Sequence, residues 1–544
     1  MKSRVSIILA LMMVIGVIAA CGNTATARPG AGAPAAPGGE SYAPFMFWFQ
    51  QNGVAFTNVD EGIETDPADN WVLDFMRENT GVPFTVGDIP PYADTKVRFD
   101  LMMASGEIPD LVEYANSADL TMYGEQGAFM PLQDIIKNSP VFSGMYDNQQ
   151  LIAMTSLVDG NIYALRGVPN NYDFTTICVR LDLVEEAGYT FDNLDEELST
   201  PAKLLEAAVK IKDNYPDSWP FSSPLTTFDG VYYGYMFNTL NYGWKWYEED
   251  KEVRHVFEDG YVIKMIEWFQ QALDAKVLHP EFITMERADH FGYRTTHNTF
   301  VWSTNHASMR GAGTMITDLN KMNAHGVVTR MPTEPGTGRE KYYVHKNMLG
   351  SYGFSINKKI ANDDAKLKSI VKLLEFLASD EYQQFVDWGR EGIEHTVVDG
   401  ERRPTPEYAK DGEGRIKLCY NFFRINNRTS MEITMLSSID RLDIPDSVKA
   451  EIARKQNTAG DRVAADIVLD TYNPFSYIAP LTDEMRNRLP LYQEECISLI
   501  AKAALGEISM AQFETERQRI VAEVQDITDM YRQNTADAIT RYGF

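Results

Sequence analysis

The sequence predicts an α/β protein of two or more domains, on three observations. Helix-like and strand-like segments alternate from Trp71 to Tyr114, the pattern of an α/β layer. The chain has 544 residues, and the roughly five hundred that follow its N-terminal segment exceed what one hydrophobic core organises. Hydrophobic residues make up 44% and charged residues 23% of it, a globular balance rather than a disordered one.

Residues 1–20 read as a secretory signal peptide. Lys2 and Arg4 lead an apolar run from Val5 to Ile18, and the small residues Ala19 and Ala20 precede Cys21. A cysteine in that place resembles the bacterial lipoprotein signal, which implies a diacylglyceryl group on Cys21, cleavage before it and a palmitate-type second acylation. Each buried CH₂ contributes about 0.8 kcal/mol, so two acyl chains anchor stably. The alternative is a plain signal peptide with Cys21 incidental. Residues 21–42 are mostly Ala, Gly and Pro and bury too little to offset their ordering entropy. As a coil they form a tether of roughly 25 Å. No later apolar stretch approaches the length of a membrane span.

Beyond the tether, Tyr42–Phe56 is apolar and aromatic and reads as a first strand running into a loop at Gln50-Gln51-Asn52-Gly53. Trp71–Glu78 has helical spacing, with Trp71, Leu73 and Phe75 on its apolar side. Val82–Val86 reads as a strand, Val97–Met103 as a helix ending at Ser105-Gly106, and Pro109–Tyr114 as a short buried strand. Thr200-Pro201 fits an N-cap with proline in the first helical position, ahead of a Leu204, Ala208, Ile211 stripe. Trp244 and Trp246 alternate in a hairpin and read as packing residues. Asn362-Asp363 opens a helix with the stripe Leu367, Ile370, Leu374, Leu377. Ser509 and Gln512 have capping-box spacing, followed by Ile520, Val524, Ile527 and Tyr531.

Charge and cysteine narrow the function classes. A net charge of −27 argues against nucleic acid, whose phosphates need cations, and against electrostatic docking on anionic lipid. Past Cys21 there are Cys178, Cys419 and Cys496, with no metal-type spacing. They allow one disulfide and a spare thiol, or three buried thiols. No Gly-x-Ser-x-Gly elbow, His-Glu-x-x-His helix or phosphate loop occurs, and eight scattered histidines form no metal spacing.

Five blocks in order carry a family resemblance: Leu101–Ile136, Asp159–Leu165 with Thr175–Gly188, Ala275–Phe282, Gly353–Asn362 and Phe385–Gly400. They resemble extracellular solute-binding proteins of the large maltose-binding class, the substrate-binding components of ABC transporters. The likeness is nearest to long Gram-positive lipoproteins and alginate-binding types. It implies a two-lobe periplasmic-binding-protein type II fold, with a ligand cleft between lobes joined by hinge crossings near Tyr172–Ile177, Gly326–Pro332 and Gly392–Thr396. The implied first lobe is 43–172 plus 333–395, and the second, more helical lobe is 177–326 plus 396–544. Many members of that subgroup carry a calcium loop after the helix that here begins near Thr200. In this chain Lys210–Pro224 has only Asp213 and Asp217 as carboxylates and no glycine. A hard cation takes about six to eight oxygens, so neither metal nor other cofactor is expected.

The resemblance implies binding without chemistry: an oligosaccharide caught by lobe closure and passed to membrane permease subunits by a monomer on the outer face of the cell membrane. Sugars present C–H faces and hydroxyls, which suit aromatic rings beside amides, carboxylates and arginines. The matched blocks place Trp302, Trp388, Arg390, Glu391, Tyr114, Asn116, Trp48, Gln50 and Tyr172 at the cleft. The plain alternatives are core packing for each tryptophan and a surface ion pair for Arg390 and Glu391. Arg310, Arg330 and Arg390 are the cations available to an acidic sugar. Other readings are a binder of peptides or other polar solutes, a surface carbohydrate-active enzyme, and a sensor for a membrane kinase.

Overall fold

The computed structural model describes residues 41–50, 57–58, 63–64, 71–90, 94–156, 158–168, 175–226, 230–239, 243–247, 251–305, 325–337, 342–343, 349–350, 352–398, 400–405, 425, 445–465, 467–468 and 483–542. The signal peptide, most of the tether with Cys21, and Tyr172, Arg310 and Cys419 lie outside them.

Alternation along the first strand sets the first layer. In Phe45–Phe49 the side chains of Phe47 and Phe49 enter one core while Trp48 enters another, because successive strand residues face opposite sides of a sheet. A sheet buried on both faces needs such a near-continuous apolar run. Its five strands lie in the order Phe84–Val86, Phe45–Phe49, Leu111–Tyr114, Gly353–Ile356, Leu165–Arg166. The first three are parallel, and Gly353–Ile356 runs antiparallel to both neighbours. Helix Asp364–Leu377 covers one face with Ile370, Leu373 and Leu374. Helix Thr95–Ser105 covers the other with Phe99 and Met102, leaving Val97 and Leu101 in solvent. Gly106 ends that helix at φ 70°, a left-handed cap that glycine adopts without Cβ strain.

The second layer is a three-stranded antiparallel sheet with Thr175–Arg180 at its centre, flanked by Val301–Asn305 and Gly326–Thr329. Its core runs from Ile177 to Met331 and resumes in the C-terminal helices. Helix Pro201–Asn214 starts on the Thr200 cap, whose hydroxyl accepts from Lys203 N–H, and buries Leu204, Ala208 and Ile211. Helices Asp446–Ala464, Asp483–Ala504 and Met510–Glu523 close the same core. The capping box of Ser509 and Gln512 forms as expected. The stripe beyond it is split at Val524 between two helices, the second being Gln525–Tyr542. Ile527 and Tyr531 on that last helix pack against the hairpin of Trp244–Tyr247 and Glu252–His255.

The helix from Trp71 runs to Thr80; Leu73 is buried with Val72 and Met76, and half-buried Phe75 packs on the same core, stacked on Phe385 at 3.5 Å. One expectation is corrected. The crossing expected at Gly392–Thr396 is a hairpin, His395–Val398 with Glu401–Pro404. That hairpin stays with the first layer: Arg402 donates to Gln384, and Thr405 N–H donates to Glu394 O. Ile425 is also packed in the first-layer core, so the chain leaves that layer after it. Cys178 and Cys496 are both buried and in no disulfide. Burial pushes the Cys496 thiol up to about 12 and the Cys178 thiol further. Among the described residues no helix is long and apolar enough to cross a membrane.

Candidate functional site

The candidate site is the space between two sheet edges. Parallel strands end together, so Val86, Phe49, Tyr114 and Arg166 share one edge of the first sheet with Gly353. The chain leaves that edge at Arg166 and enters the second sheet at Thr175. It leaves the second sheet at Thr329, whose edge also holds Thr175 and Asn305, and returns to the first at Gly353. Both connections therefore run between the same two edges. In open α/β sheets, ligands bind outside the carboxyl ends of the strands.

At the first edge, four of the expected residues come together. Gln50 N–H donates to Glu113 Oε2 at 3.1 Å, and Gln50 Oε1 accepts from Ala115 N–H at 3.1 Å. This tie fastens the ends of two parallel strands. Tyr114 stacks on Phe99 with ring centroids 4.0 Å apart. Trp48 is 1% exposed, donates from Nε1 to Asp88 O, and lies against Phe99 and Tyr114. Asn116 is exposed and caps helix Ser117–Glu125, its Oδ1 accepting from Ala118 and Asp119 N–H.

Glu113 belongs to this edge and was missed by sequence reasoning. It is fully buried, and among the described residues its Oε1 has no hydrogen-bond partner. Burial raises its carboxyl well above the usual range, opposed only by the Gln50 N–H. The signal was present: an acidic residue inside the buried run Leu111-Val112-Glu113-Tyr114.

A second group sits in one turn after helix Asp380–Trp388. Trp388 is 8% exposed, and its carbonyl accepts from His395 Nδ1 at 2.9 Å. Gly389 has φ 69°, and a Cβ there would lie 2.9 Å from Glu394 Cβ, so no other residue fits the turn. Arg390 pairs with Glu394 rather than Glu391. Nη2 and Nε form a fork on the carboxylate at 2.6 and 3.1 Å, and the Arg390 N–H adds a third bond at 2.6 Å. Glu391 is exposed.

Trp302 lies in the second sheet opposite Cys178 and is 3% exposed. The Arg294 guanidinium covers its ring at 4.4 Å. Arg294 in turn donates to His290 Nε2. An arginine is always a donor, so the His290 proton is on Nδ1 and donates to Ser222 Oγ at 3.0 Å. Ser222 then donates to Thr299 Oγ1, and Thr299 to Trp219 O. Ser222 and His290 are both 0% exposed, so this serine–histidine contact is sealed from any substrate. The Arg330 N–H donates to Asp195. Among the described residues no three His, Cys, Asp or Glu side chains gather as a metal site.

The family profile described as "Bacterial extracellular solute-binding protein" matches residues 61–384. No curated protein sequence matches the chain. Solved structures share its two-lobe type II fold. An HMO-binding ABC-transporter-associated solute-binding protein from Bifidobacterium longum infantis aligns at TM-score 0.64 and 12% identity, over 92% of this chain and 100% of its own. An N-glycan transport solute-binding protein from Streptococcus pneumoniae aligns at 0.63 and 13%, over 91% and 99%. An alginate-binding protein solved without calcium ion aligns at 0.60 and 14%, over 91% and 98%.

Proposed function

The chain belongs to the bacterial extracellular solute-binding protein family, and from that premise we propose that it captures an oligosaccharide between its lobes and delivers it to the permease of an ABC importer. The observation that carries this reading is the pair of sheet edges joined by chain crossings, which can approach by hinge bending. A solute that touches both edges favours the closed form. The glycans named for the structural neighbours support a sugar over a peptide.

Within the site, Asn116, Arg390 and Glu391 supply the groups that solvent reaches on the first lobe, joined by Tyr172 from the first crossing. Gln50 holds the floor of that edge. Trp48, Tyr114, Trp388 and Trp302 are packed by protein on the faces described above and act as the rigid bed beneath it, since a ring stacks on a sugar only through an uncovered face. The lobes proposed are 43–172 with 333–395 and 177–326 with 396–544, amended so that the hairpin 395–404 and Ile425 go to the first and residues 333–337, bonded to Ser199, Met236 and Asn238, to the second. The anchor is the lipidated Cys21, which holds a monomer at the outer face of the cell membrane.

Thermal shift of the protein against neutral and acidic oligosaccharides, peptides and polyols tests the reading. A ligand at a hundred times its Kd adds about 2.7 kcal/mol to stability, a rise of several degrees. The expected result is a rise with one glycan class, diminished in Asn116→Ala and Glu391→Ala. A rise with peptides alone would replace the sugar by a peptide, and turnover of a glycan would overturn the binding reading.

A further inference from the structure

Glu113 stands one residue from the end of strand Leu111–Tyr114, at the solute edge. Its partners in register are Phe49 on one side and Phe354 on the other, and residues in register share a face of the sheet. The helices on that face, Asp364–Leu377 and Asp380–Trp388, bring Leu373, Leu374, Leu377, Tyr382 and Phe385 to the same core as the two phenylalanines. Among the described residues no charged group acts on the carboxyl from any of these elements; burial and the Gln50 N–H set its state.

That N–H is half of a reciprocal tie. Glu113 Oε2 accepts from the main chain of Gln50, and the side chain of Gln50 accepts from the main chain of Ala115. Each strand thus holds the other just past Phe49 and Glu113, the last pair of their ladder. Gln50 is 6% exposed, so little water reaches the tie. The next residue after Ala115 is Asn116, which starts helix Ser117–Glu125: its Oδ1 takes the Ala118 and Asp119 N–H groups, and its carbonyl takes the Leu120 N–H at 3.3 Å. Leu120 fixes that helix in the core below. The stand of Asn116 is therefore decided at Ala115, which Glu113 holds through Gln50.

We propose that Glu113 is the positioning residue of the solute edge: its carboxyl latches two strand ends and, through Gln50 and Ala115, sets the place of Asn116. A neutral carboxyl serves this latch with a single donor. An ionised one does not, because a buried charge needs donors for both oxygens, and among the described residues Oε1 has none. Water must then enter between the strand ends to supply them, and the Gln50–Ala115 bond parts. The latch is closed while Glu113 keeps its proton and opens as pH rises through the folded value. The inference rests on the reading of this edge as the one that meets solute. Its test needs no solute, so a failed latch leaves solute capture standing and failed capture leaves the latch standing.

The test is amide hydrogen exchange of the protein, resolved to single residues, at pH 5 and pH 9. In the wild type the protection factors of the Gln50, Ala115 and Leu120 N–H groups should fall at least tenfold between the two. The Asn357 N–H, bonded to Asp110 O at the other end of the same strand, should change less than twofold. Glu113→Gln keeps an acceptor for Gln50 and cannot ionise, so all three groups should stay protected at both values. Glu113→Leu should leave them poorly protected at both. Gln50→Ala keeps the main-chain N–H and removes the side-chain acceptor, so it should expose Ala115 and Leu120 while residue 50 stays protected; it serves if Glu113→Leu does not fold. A fall in Glu113→Gln equal to that of the wild type, or a wild-type fall shared by Asn357, would make Glu113 an ordinary buried acid and overturn the proposal. Wild-type protection unchanged to pH 9 would overturn it as well.

Discussion

At the scale of single residues, two buried titratable groups make opposite predictions. Glu113 has its carboxyl raised by burial, so the folded protein holds a proton that the unfolded chain releases. Its contribution to stability is complete below the ordinary value of 4.5 and is lost as pH rises through the folded value. Glu113→Gln keeps an oxygen for the Gln50 N–H and cannot ionise. Its melting temperature should exceed that of the wild type by a margin that grows from pH 4.5 to pH 8; a margin constant with pH would show that Glu113 titrates as it does in water. His255 is 1% exposed, accepts from Phe257 N–H on Nδ1, and is lowered by burial to about 4. Here the unfolded chain takes the proton first, so stability falls as pH drops from 6.5 towards 4, by up to about 3 kcal/mol. His255→Asn, with its oxygen near the Nδ1 position, should flatten that limb in urea titrations at pH 7 and pH 4.5. Gly389 is a steric case. Gly389→Ala forces a Cβ into Glu394 at φ 69°, should cost about 1–3 kcal/mol, and should release the Arg390–Glu394 fork.

At the scale of elements, helix starts and stripes were legible and edges were not. The Thr200 cap, the Ser509–Gln512 box and the Leu204, Ala208, Ile211 face all follow local rules of spacing and hydrogen bonding, and each forms. Ser509→Ala should cost about 1 kcal/mol by chemical denaturation, because the Gln512 N–H of the first turn loses its partner. Turns governed by distant packing escaped the pattern. The hairpin after Gly392 forms because Glu394 and His395 find partners in Arg390 and Trp388, contacts that spacing alone does not announce. The candidate site was legible to the same degree. Sequence blocks led to the edge that holds Gln50, Tyr114 and Asn116, but not to Glu113, whose acidity inside an apolar run was the overlooked mark.

At the scale of the molecule, two sheets carry cores with no residue in common. Two separate cores unfold as separate cooperative units, so calorimetry of the ligand-free protein should show two transitions. A bound solute that touches both edges should draw them together; a single sharp transition without solute would show the lobes to be one unit. The sequence by itself determined the family, the two-layer α/β composition and the helix caps, because these depend on residue type at short spacing. Tertiary structure alone decided which aromatic rings the protein covers and where the hairpin at 395–404 belongs. Trp48, Trp302 and Trp388 show the reason. A tryptophan at a strand or helix end has the same local pattern whether its ring is covered or open, and only the neighbours brought by the rest of the chain, Phe99, Arg294 and His395 among them, settle which it is.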